Sequence, residues 1–183
     1  MAVSNWILDE AHSSIGFTVR HMMIANVRGY FGKFTATVAA DPENLTTANI
    51  TVAIDPASID TRNEQRDNHL RSADFFQTEE YPEITFQSST LQSVDDEQHR
   101  LEGYLTIHDV SKPLAFNCEI AGPAKDPWGN DRIGVTANGT LKRSDFGLTY
   151  NSALETGGFL IGDEIKFIIE LEFVKEPIQK GVR

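Results

Sequence analysis

Apolar and polar residues alternate with a period of two along most of this sequence, which is the pattern of half-buried β-strands. The alternation recurs in eight segments, separated by turn-forming stretches such as DPENLTT and AKDPWGND. We therefore predict eight strands. Their inward-facing positions are Ile15, Phe17 and Val19; Phe34, Ala36 and Val38; Ile50, Val52 and Ile54; Ile84 and Phe86; Leu101, Leu105 and Ile107; Leu114, Phe116, Cys118 and Ile120; Ile133, Val135, Ala137 and Leu141; and Ile165, Phe167, Ile169, Leu171 and Phe173.

Strands that follow one another without helices between them indicate an antiparallel meander rather than parallel βαβ units. Eight antiparallel strands close naturally into a barrel, and a barrel of this size can hold one small ligand. The sequence therefore predicts an all-β fold, a single antiparallel eight-stranded β-barrel, with a two-sheet β-sandwich as the alternative. No linker, repeat or low-complexity tract divides residues 1–183, so we expect one domain.

One segment, DTRNEQRDNHLRS, has no alternation and no proline. Thr61 and Glu64 have the spacing of a capping box, in which each side chain accepts from the backbone amide of the other residue. We therefore predict one short helix at about residues 62–71. Asp67 and Arg71 are four residues apart on it, and we expect them to form an ion pair along its surface.

The predicted helix has almost no apolar face, because Leu70 is its one apolar residue. We expect polar contacts, together with Phe75 and Phe76 just beyond it, to hold the helix at one end of the barrel. A second region, at about residues 143–163, is too rich in glycine for a long helix and is predicted to form an irregular lid.

The formal net charge of −11 argues against a nucleic-acid partner, because phosphate backbones are bound by lysine and arginine. No window has the ~20 apolar residues of a membrane span, and the N-terminus lacks the charged and apolar regions of a signal peptide. The single cysteine, Cys118, lies at an inward-facing position of its predicted strand and is expected to be a buried hydrophobic residue. We therefore expect a cytoplasmic protein.

Signals for catalysis and for metal binding are weak. The histidines lack His-x3-His spacing and there is no Cys-x2-Cys pair, so no metal site is predicted. The sequence has neither a phosphate-binding loop nor a Gly-x-Ser-x-Gly elbow. We therefore expect no cofactor and no enzyme activity. The alternative is a hydrolase-type enzyme that acts on an amphiphile, with His69 or His21 as its general base.

The stretch RDNHLRSADFF concentrates charge and allows two interpretations. Arg66, Arg71 and His69 can be structural, bonding carboxylates and strand-end carbonyls so that the helix plugs the barrel. They can instead hold the phosphate or carboxylate head of a ligand by paired hydrogen bonds. The sequence leaves both open.

Eleven phenylalanines and several small residues determine what the barrel interior contains. Either the phenylalanines fill a solid core, or the small residues leave room for a long apolar tube. Burying a five-carbon isoprene unit yields roughly 4 kcal/mol, and three units, less about 4 kcal/mol for lost freedom, reach roughly micromolar binding. A filled, ligand-free barrel would instead be a stress-response interaction module, with a cavity below about 100 Å³. The small residues are Gly16, Gly29, Ala36, Gly103, Ala137 and Gly139.

Five blocks of sequence match one known family. In order, over about residues 6–174, they are HSSIGFTVRHMMIANVRGYFGKF, ASIDTRNEQRDNHLRSADFFQTEEYPEITFQS, LEGYLTIHDVSKPLAF, KRSDFGL and GDEIKFIIELEF. The chain therefore resembles the YceI-like family. The resemblance implies a lipocalin-like β-barrel whose interior binds a polyisoprenoid or another amphiphile, such as a quinone or a fatty amide. It also implies that homodimers occur and that most members have no established enzyme activity.

We therefore predict storage or transport of a long-chain amphiphilic lipid, of the polyisoprenoid, isoprenoid quinone or fatty amide type, inside the barrel. Many relatives begin with a secretory signal that this chain lacks, which favours the cytoplasm. Family motif positions and inward phenylalanines supply the candidate ligand-binding residues. They are Phe17, His21, Phe31, Arg66, His69, Leu70, Arg71, Phe75, Phe76, Phe86, Phe116, Arg143 and Phe146.

Overall fold

Eleven strands, one α-helix and three short 3₁₀ turns form the part of the chain that the computed structural model describes, residues 3–155 and 157–177. The helix, α1, is Glu64–Arg71, and the 3₁₀ turns are Glu10–His12, Pro56–Ser58 and Arg143–Phe146. The strands are β1 (Ser4–Leu8), β2 (Ser14–His21), β3 (Ala25–Phe31), β4 (Phe34–Asp41), β5 (Asn44–Ile54), β6 (Ile59–Asp60), β7 (Ile84–Ser93), β8 (Gln98–Ile107), β9 (Val110–Lys125), β10 (Asp131–Lys142) and β11 (Ile161–Lys175).

Eight of these strands form a closed antiparallel barrel, as the alternation predicts. The order around the ring is β1, β4, β5, β7, β8, β9, β10 and β11, and β1 then pairs with β11. Trp6 of β1 lies opposite both Val38 of β4 and Lys175 of β11. Because the ring closes on itself, the β-sandwich alternative is wrong.

The ring strands are not the same eight that the alternation predicts. β2 pairs with residues 161–170 of β11 and begins a side branch, β2–β3–β6, instead of closing the ring. Residues 173–175 of β11 pair with β1. A strand of 15 residues is long enough to have two different neighbours on one edge, and alternation within a strand carries no information about its neighbours.

The alternation does not predict β1 or β3. In β1 the one fully inward side chain is Trp6, and in β3 an inward position is occupied by Gly29, with Phe31 as its large buried residue. Strands with so few inward apolar residues have too little periodicity to be recognised in a sequence.

Tightly packed side chains close one end of the barrel, where β1 completes the ring. Trp6 is 2% exposed and Phe173 is 1% exposed. Cys118 is buried, as predicted, and burial raises the pKa of its thiol to about 11. We call this end the base and define it by Trp6, Ala40, Leu91, Cys118, Ile120 and Ile133.

The helix α1 begins at Glu64, later than the capping box predicts. Its N-cap is Asn63, whose side-chain oxygen accepts from the Arg66 amide at 2.9 Å. Arg62 has a φ of 62°, so the backbone is not helical immediately before the cap. The predicted capping box of Thr61 and Glu64 is therefore wrong. Among the described residues, no helix has the length and apolar character to cross a membrane.

The end opposite the base, which we call the mouth, carries α1 and an irregular segment. β10 ends at Lys142, the 3₁₀ turn Arg143–Phe146 follows, and β11 begins at Ile161. The described part of residues 147–160 holds one isolated bridge, between Ala153 and Phe159, in otherwise irregular backbone. This segment agrees with the predicted lid.

Candidate ligand-binding site

An elongated cavity of about 220 Å³ lies inside the barrel. The part of β11 that borders the cavity is about 40 Å long. Because barrel strands are tilted, this length corresponds to roughly 30 Å along the barrel axis. The cavity is larger than the about 100 Å³ expected of a filled barrel and below the ~300–1,000 Å³ of pockets for drug-sized ligands. Its β11 residues are Ile161, Ile165, Phe167, Ile169, Leu171 and Phe173.

The wall of the cavity is apolar along its whole length. Every described residue that forms it is aliphatic or aromatic, apart from Gly16 and Arg143. None of the six base residues belongs to the wall, whereas Leu70, Phe76 and Leu148 at the mouth do. The cavity therefore ends above the base and extends to the residues of the mouth.

The outer ends of three phenylalanine rings lie over glycines of neighbouring strands. A Cβ atom at Gly139 would come within 2.6 Å of the Phe167 ring, and a Cβ atom at Gly103 within 2.6 Å of the Phe86 ring. Phe17 covers Gly29 in the same way. These glycines give the rings room beside the wall, so the rings do not extend across the cavity.

The inward phenylalanines form two aromatic rows. In one row, Phe86 and Phe116 have ring centroids 5.8 Å apart, and Phe116 and Phe167 are 5.4 Å apart. In the other row, Phe31 contacts the rings of Phe17 and Phe76 at 5.6 and 6.0 Å. Neither row brings a hydrogen-bonding group to the cavity.

The predicted site residues divide into two groups. Eight of them lie in the cavity wall, while the other five do not. Phe146 is packed in the core with 3% exposure, and His21 is half-buried at the end of β2. The eight in the wall are Phe17, Phe31, Leu70, Phe75, Phe76, Phe86, Phe116 and Arg143; the five outside it are His21, Arg66, His69, Arg71 and Phe146. Leu148 and Ile161 of the wall are not among the predicted residues, because they flank an irregular segment without periodicity.

A buried carboxylate holds α1 to the strand before it. Asp67 is 6% exposed, and its Oδ1 accepts from the amide of Thr61 at 2.9 Å and from the Thr61 hydroxyl. Arg66 donates to the Thr61 hydroxyl and carbonyl, both at 2.7 Å. The predicted ion pair between Asp67 and Arg71 is therefore wrong: the carboxylate turns inward to a backbone turn and not along the helix surface.

Replacing Asp67 by alanine is expected to lower the free energy of unfolding by about 2–4 kcal/mol, because the amide and hydroxyl of Thr61 lose their acceptor in a buried place. Asp67→Asn keeps an oxygen at the same position and should cost less than half as much. Urea unfolding of both variants measures the effect. Equal stability of Asp67→Ala and the natural protein would contradict the structural assignment.

Arg71 is bound to the backbone that precedes α1. Its Nε donates to the carbonyl of Ala57 at 2.8 Å, and its Nη2 donates to the carbonyl of Ile59 at 3.2 Å. Its Nη1 donates to the side chain of Asn68 at 2.9 Å. Of the two interpretations of RDNHLRSADFF, these contacts favour the structural one for both arginines.

Arg143 joins the irregular segment to the start of β11. It is 5% exposed and donates to four backbone carbonyls. The acceptors are Leu148 and Tyr150 at 2.8 Å, Gly162 at 2.9 Å and Ile161 at 3.3 Å. Burial lowers the pKa of this guanidinium below its ordinary value, although Asp163 opposes the shift.

His69 lies on the outer side of the mouth. Its Nε2 is 2.8 Å from Oδ2 of Asp74, and both side chains are about half exposed. Its ring meets the rings of Phe75 and Tyr150 edge-on, with centroids 5.1 and 5.0 Å away. Since neither His69 nor His21 lies in the wall, the structure places neither proposed base of the hydrolase alternative inside the cavity.

An ionic cluster lies on the barrel surface near the base. Arg132 donates to Asp9 at 2.9 Å and to Asp126 at 2.8 Å, and Nδ1 of His12 is 2.9 Å from Asp9. Asp9, His12 and Glu172 have metal-ligand atoms within 4.8 Å of one another, but the Arg132 guanidinium supplies their positive charge. Hydrogen bonding from Arg132 lowers the pKa of Asp126 to about 2, and the Asp9 carboxylate raises the pKa of His12.

This cluster predicts two regions of pH-dependent stability. Because the pKa of His12 is raised, its pairing with Asp9 contributes to the free energy of unfolding below pH 6.5, and this contribution is lost as pH rises through the raised pKa. The lowered pKa of Asp126 means that its contribution is present above pH 3.8 and is lost as pH falls towards about 2. The Tm of His12→Gln should lie below that of the natural protein at pH 5.5 and equal it at pH 9. The Tm of Asp126→Asn should lie below that of the natural protein at pH 5 and approach it near pH 2. A constant difference across either range would contradict the pairing.

A closed eight-stranded barrel around an apolar cavity places this protein among lipocalin-like barrels. The chain belongs to the YceI-like family, because the YceI-like domain matches residues 6–173. This confirms the resemblance of the five sequence blocks. A UPF0312 protein of Staphylococcus aureus strain N315 is 38% identical over 172 residues, which cover 93% of this chain and 98% of that one.

Solved structures agree with this assignment. The YCEI protein of Campylobacter jejuni is 36% identical and superimposes with a TM-score of 0.75, covering 86% of this chain and 90% of that one. BcnA of Burkholderia cenocepacia has a TM-score of 0.79 at 23% identity, covering 90% and 98%. A polyisoprenoid binding domain from Saccharophagus degradans has a TM-score of 0.71 at 16% identity, covering 96% and 100%. At such low identities the last two structures share the fold alone.

Proposed function

We propose that this protein binds one long-chain amphiphile, with the apolar chain in the barrel cavity and the head group at the mouth. The observation that carries the proposal is the uniformly apolar, elongated cavity that is closed at the base. The Saccharophagus domain, described as polyisoprenoid binding, has the same fold, which supports a ligand of this type. Storage or transport of a polyisoprenoid, an isoprenoid quinone or a fatty amide fits this geometry.

The cavity dimensions favour a slender chain over a ring system. At about 220 Å³ it is below the ~300–1,000 Å³ that encloses a compact drug-sized ligand, yet it extends along most of the barrel. A flexible chain can fill such a space one methylene at a time, each yielding ~0.8 kcal/mol. Rotation of the half-buried wall side chains Leu70, Phe76 and Ile161 provides further width as the chain enters.

A binding role is also supported by the groups that face the ligand. The wall offers no nucleophile, acid or base among the residues that the structure describes, and its single charged residue, Arg143, donates to backbone carbonyls. Binding by burial of hydrocarbon requires none of these groups.

Native mass spectrometry of the purified protein tests the proposal. We expect a mass increment that organic extraction removes, followed by one-to-one uptake of a fifteen-carbon isoprenoid alcohol or a long fatty amide by the extracted protein. A sterol serves as the control for ring-shaped lipids and should bind more weakly. A protein that is always empty, and that takes up neither chain, would overturn the proposal.

A further inference from the structure

We propose that the cavity selects amphiphiles with an uncharged head group and discriminates against anionic ones. The proposal rests on the function proposed above and names the chemical class of the head group that the site accepts. The observation behind it is that the buried and half-buried arginines around the mouth already bind the protein itself.

Arg143 is the one charged residue of the cavity wall among those described. A guanidinium has five N–H donors, and four backbone carbonyls take up donors on all three nitrogens of Arg143. One donor remains, so an oxyanion could form paired hydrogen bonds with Arg143 only by displacing one of these carbonyls, which connect Leu148 and Tyr150 to the start of β11. The charge of Arg143 is therefore used to hold the chain that surrounds the mouth.

The arginines of α1 are bound in the same way. Arg66 donates to the carbonyl and hydroxyl of Thr61, and Arg71 donates to the carbonyls of Ala57 and Ile59. Neither lies in the cavity wall. Each is held against the backbone that precedes α1, and neither contributes positive charge to the cavity wall.

The ionisable pair of His69 and Asp74, in which His69 contacts the wall residue Phe75, has no net positive charge to offer an anion. His69 is 2.8 Å from the carboxylate of Asp74, so a protonated imidazole is balanced by that carboxylate and a neutral one leaves the carboxylate in excess. The net charge of the chain, −11, adds a general repulsion. An anionic head that entered the apolar wall would lose its hydration without gaining a counter-ion.

A neutral head group meets none of these penalties. A hydroxyl, carbonyl or amide costs far less to desolvate than a carboxylate or a diphosphate, and it can remain hydrated at the mouth. Discrimination therefore arises from the head group alone, and the apolar chain contributes equally in every member of a series with the same chain.

The test compares fifteen-carbon isoprenoids that carry an alcohol, a carboxylate or a diphosphate, titrated into the lipid-free protein at pH 8. We expect the alcohol to bind at least ten-fold more tightly than either anion, by calorimetry or by displacement of a bound fluorescent probe. An anion that binds as tightly as the alcohol would overturn this inference and leave the proposed function intact. If no member of the series binds, the proposed function fails instead.

A cation placed in the wall should reduce the preference for the alcohol over the carboxylate. Ile161→Lys adds one at the mouth, whereas Ile168→Lys adds the same charge on the outer face of β11, where Ile168 is 53% exposed. We expect Ile161→Lys to raise the carboxylate affinity relative to the alcohol by about ten-fold and Ile168→Lys to change it less than two-fold. An equal effect of both variants would show that overall charge, and not the wall, sets the preference. Leu141→Lys, also in the wall, provides a second variant if Ile161→Lys does not fold.

Discussion

Replacement of Arg143 by methionine is expected to lower the free energy of unfolding by about 4 kcal/mol, the largest stability effect that the structure predicts. The substitution keeps much of the apolar stem but removes the Arg143 donors from four backbone carbonyls, in a place from which water is largely excluded. The carbonyl of Ile161 keeps a second donor, the side chain of Asn151, at 2.7 Å. Urea unfolding measures the change. Hydrogen exchange should also show that amides of residues 147–160 lose protection before those of the barrel strands.

A second variant separates the effect of the guanidinium hydrogen bonds from that of the positive charge, and a third serves as a control. Arg143→Lys keeps the positive charge but cannot reach all four carbonyls, so it should lose most of the same stability and remain measurable if the methionine variant does not fold. Arg100→Met removes an exposed arginine paired with Glu102 and should cost less than about 1 kcal/mol. If Arg143→Lys were as stable as the natural protein, the carbonyl contacts would not be what Arg143 contributes.

Replacement of Gly139 by alanine is expected to weaken binding of a fifteen-carbon isoprenoid alcohol by ten-fold or more. The new Cβ atom would meet the Phe167 ring at 2.6 Å and Cβ of Phe116 at 3.3 Å, so the ring must turn into the cavity. The lost space shortens the chain that the cavity can enclose, and overpacking should lower the free energy of unfolding by about 1–3 kcal/mol. Titration of the lipid-free variant measures the affinity, and urea unfolding measures the stability.

The same strand provides the control. A Cβ atom at Gly134 of β10 has no atom within 4 Å, so Gly134→Ala should bind the alcohol as the natural protein does. Adding Phe167→Leu to Gly139→Ala removes the ring that is displaced and should restore much of the affinity. Unchanged affinity in Gly139→Ala would show that the Phe167 ring does not border the bound chain.

The glycines illustrate where prediction from sequence ends. The sequence shows small residues at inward positions and phenylalanines at others, which is compatible with an open tube or a solid core. The choice depends on register: Phe167 lies directly opposite Gly139, and Phe17 directly opposite Gly29. The alternation within one strand does not specify its register with the next strand, so no local pattern reveals that the rings lie over these glycines.

The binding partners of the arginines likewise cannot be predicted from the sequence. A phosphate oxygen, a carboxylate and a backbone carbonyl all accept hydrogen bonds from a guanidinium, so RDNHLRSADFF alone allows either a ligand clamp or a structural plug. The answer requires the position of carbonyls at Ala57, Ile59 and Thr61 relative to Arg66 and Arg71. These acceptors precede α1, where the left-handed Arg62 turns the chain back towards the helix.

Local patterns in the sequence predicted the antiparallel strands, the barrel as the preferred fold, its apolar interior, the short helix and the irregular segment before β11. The strands and the apolar interior follow from periodicity, because side chains that face inward are mostly apolar. The helix and the irregular segment follow from the absence of that periodicity. The folded structure alone shows that β1 closes the ring, that phenylalanine rings lie over glycines beside a cavity, and that the arginines bind backbone. These features depend on strand register and on the path of turns, and their energy depends on distances that the order of residues does not contain.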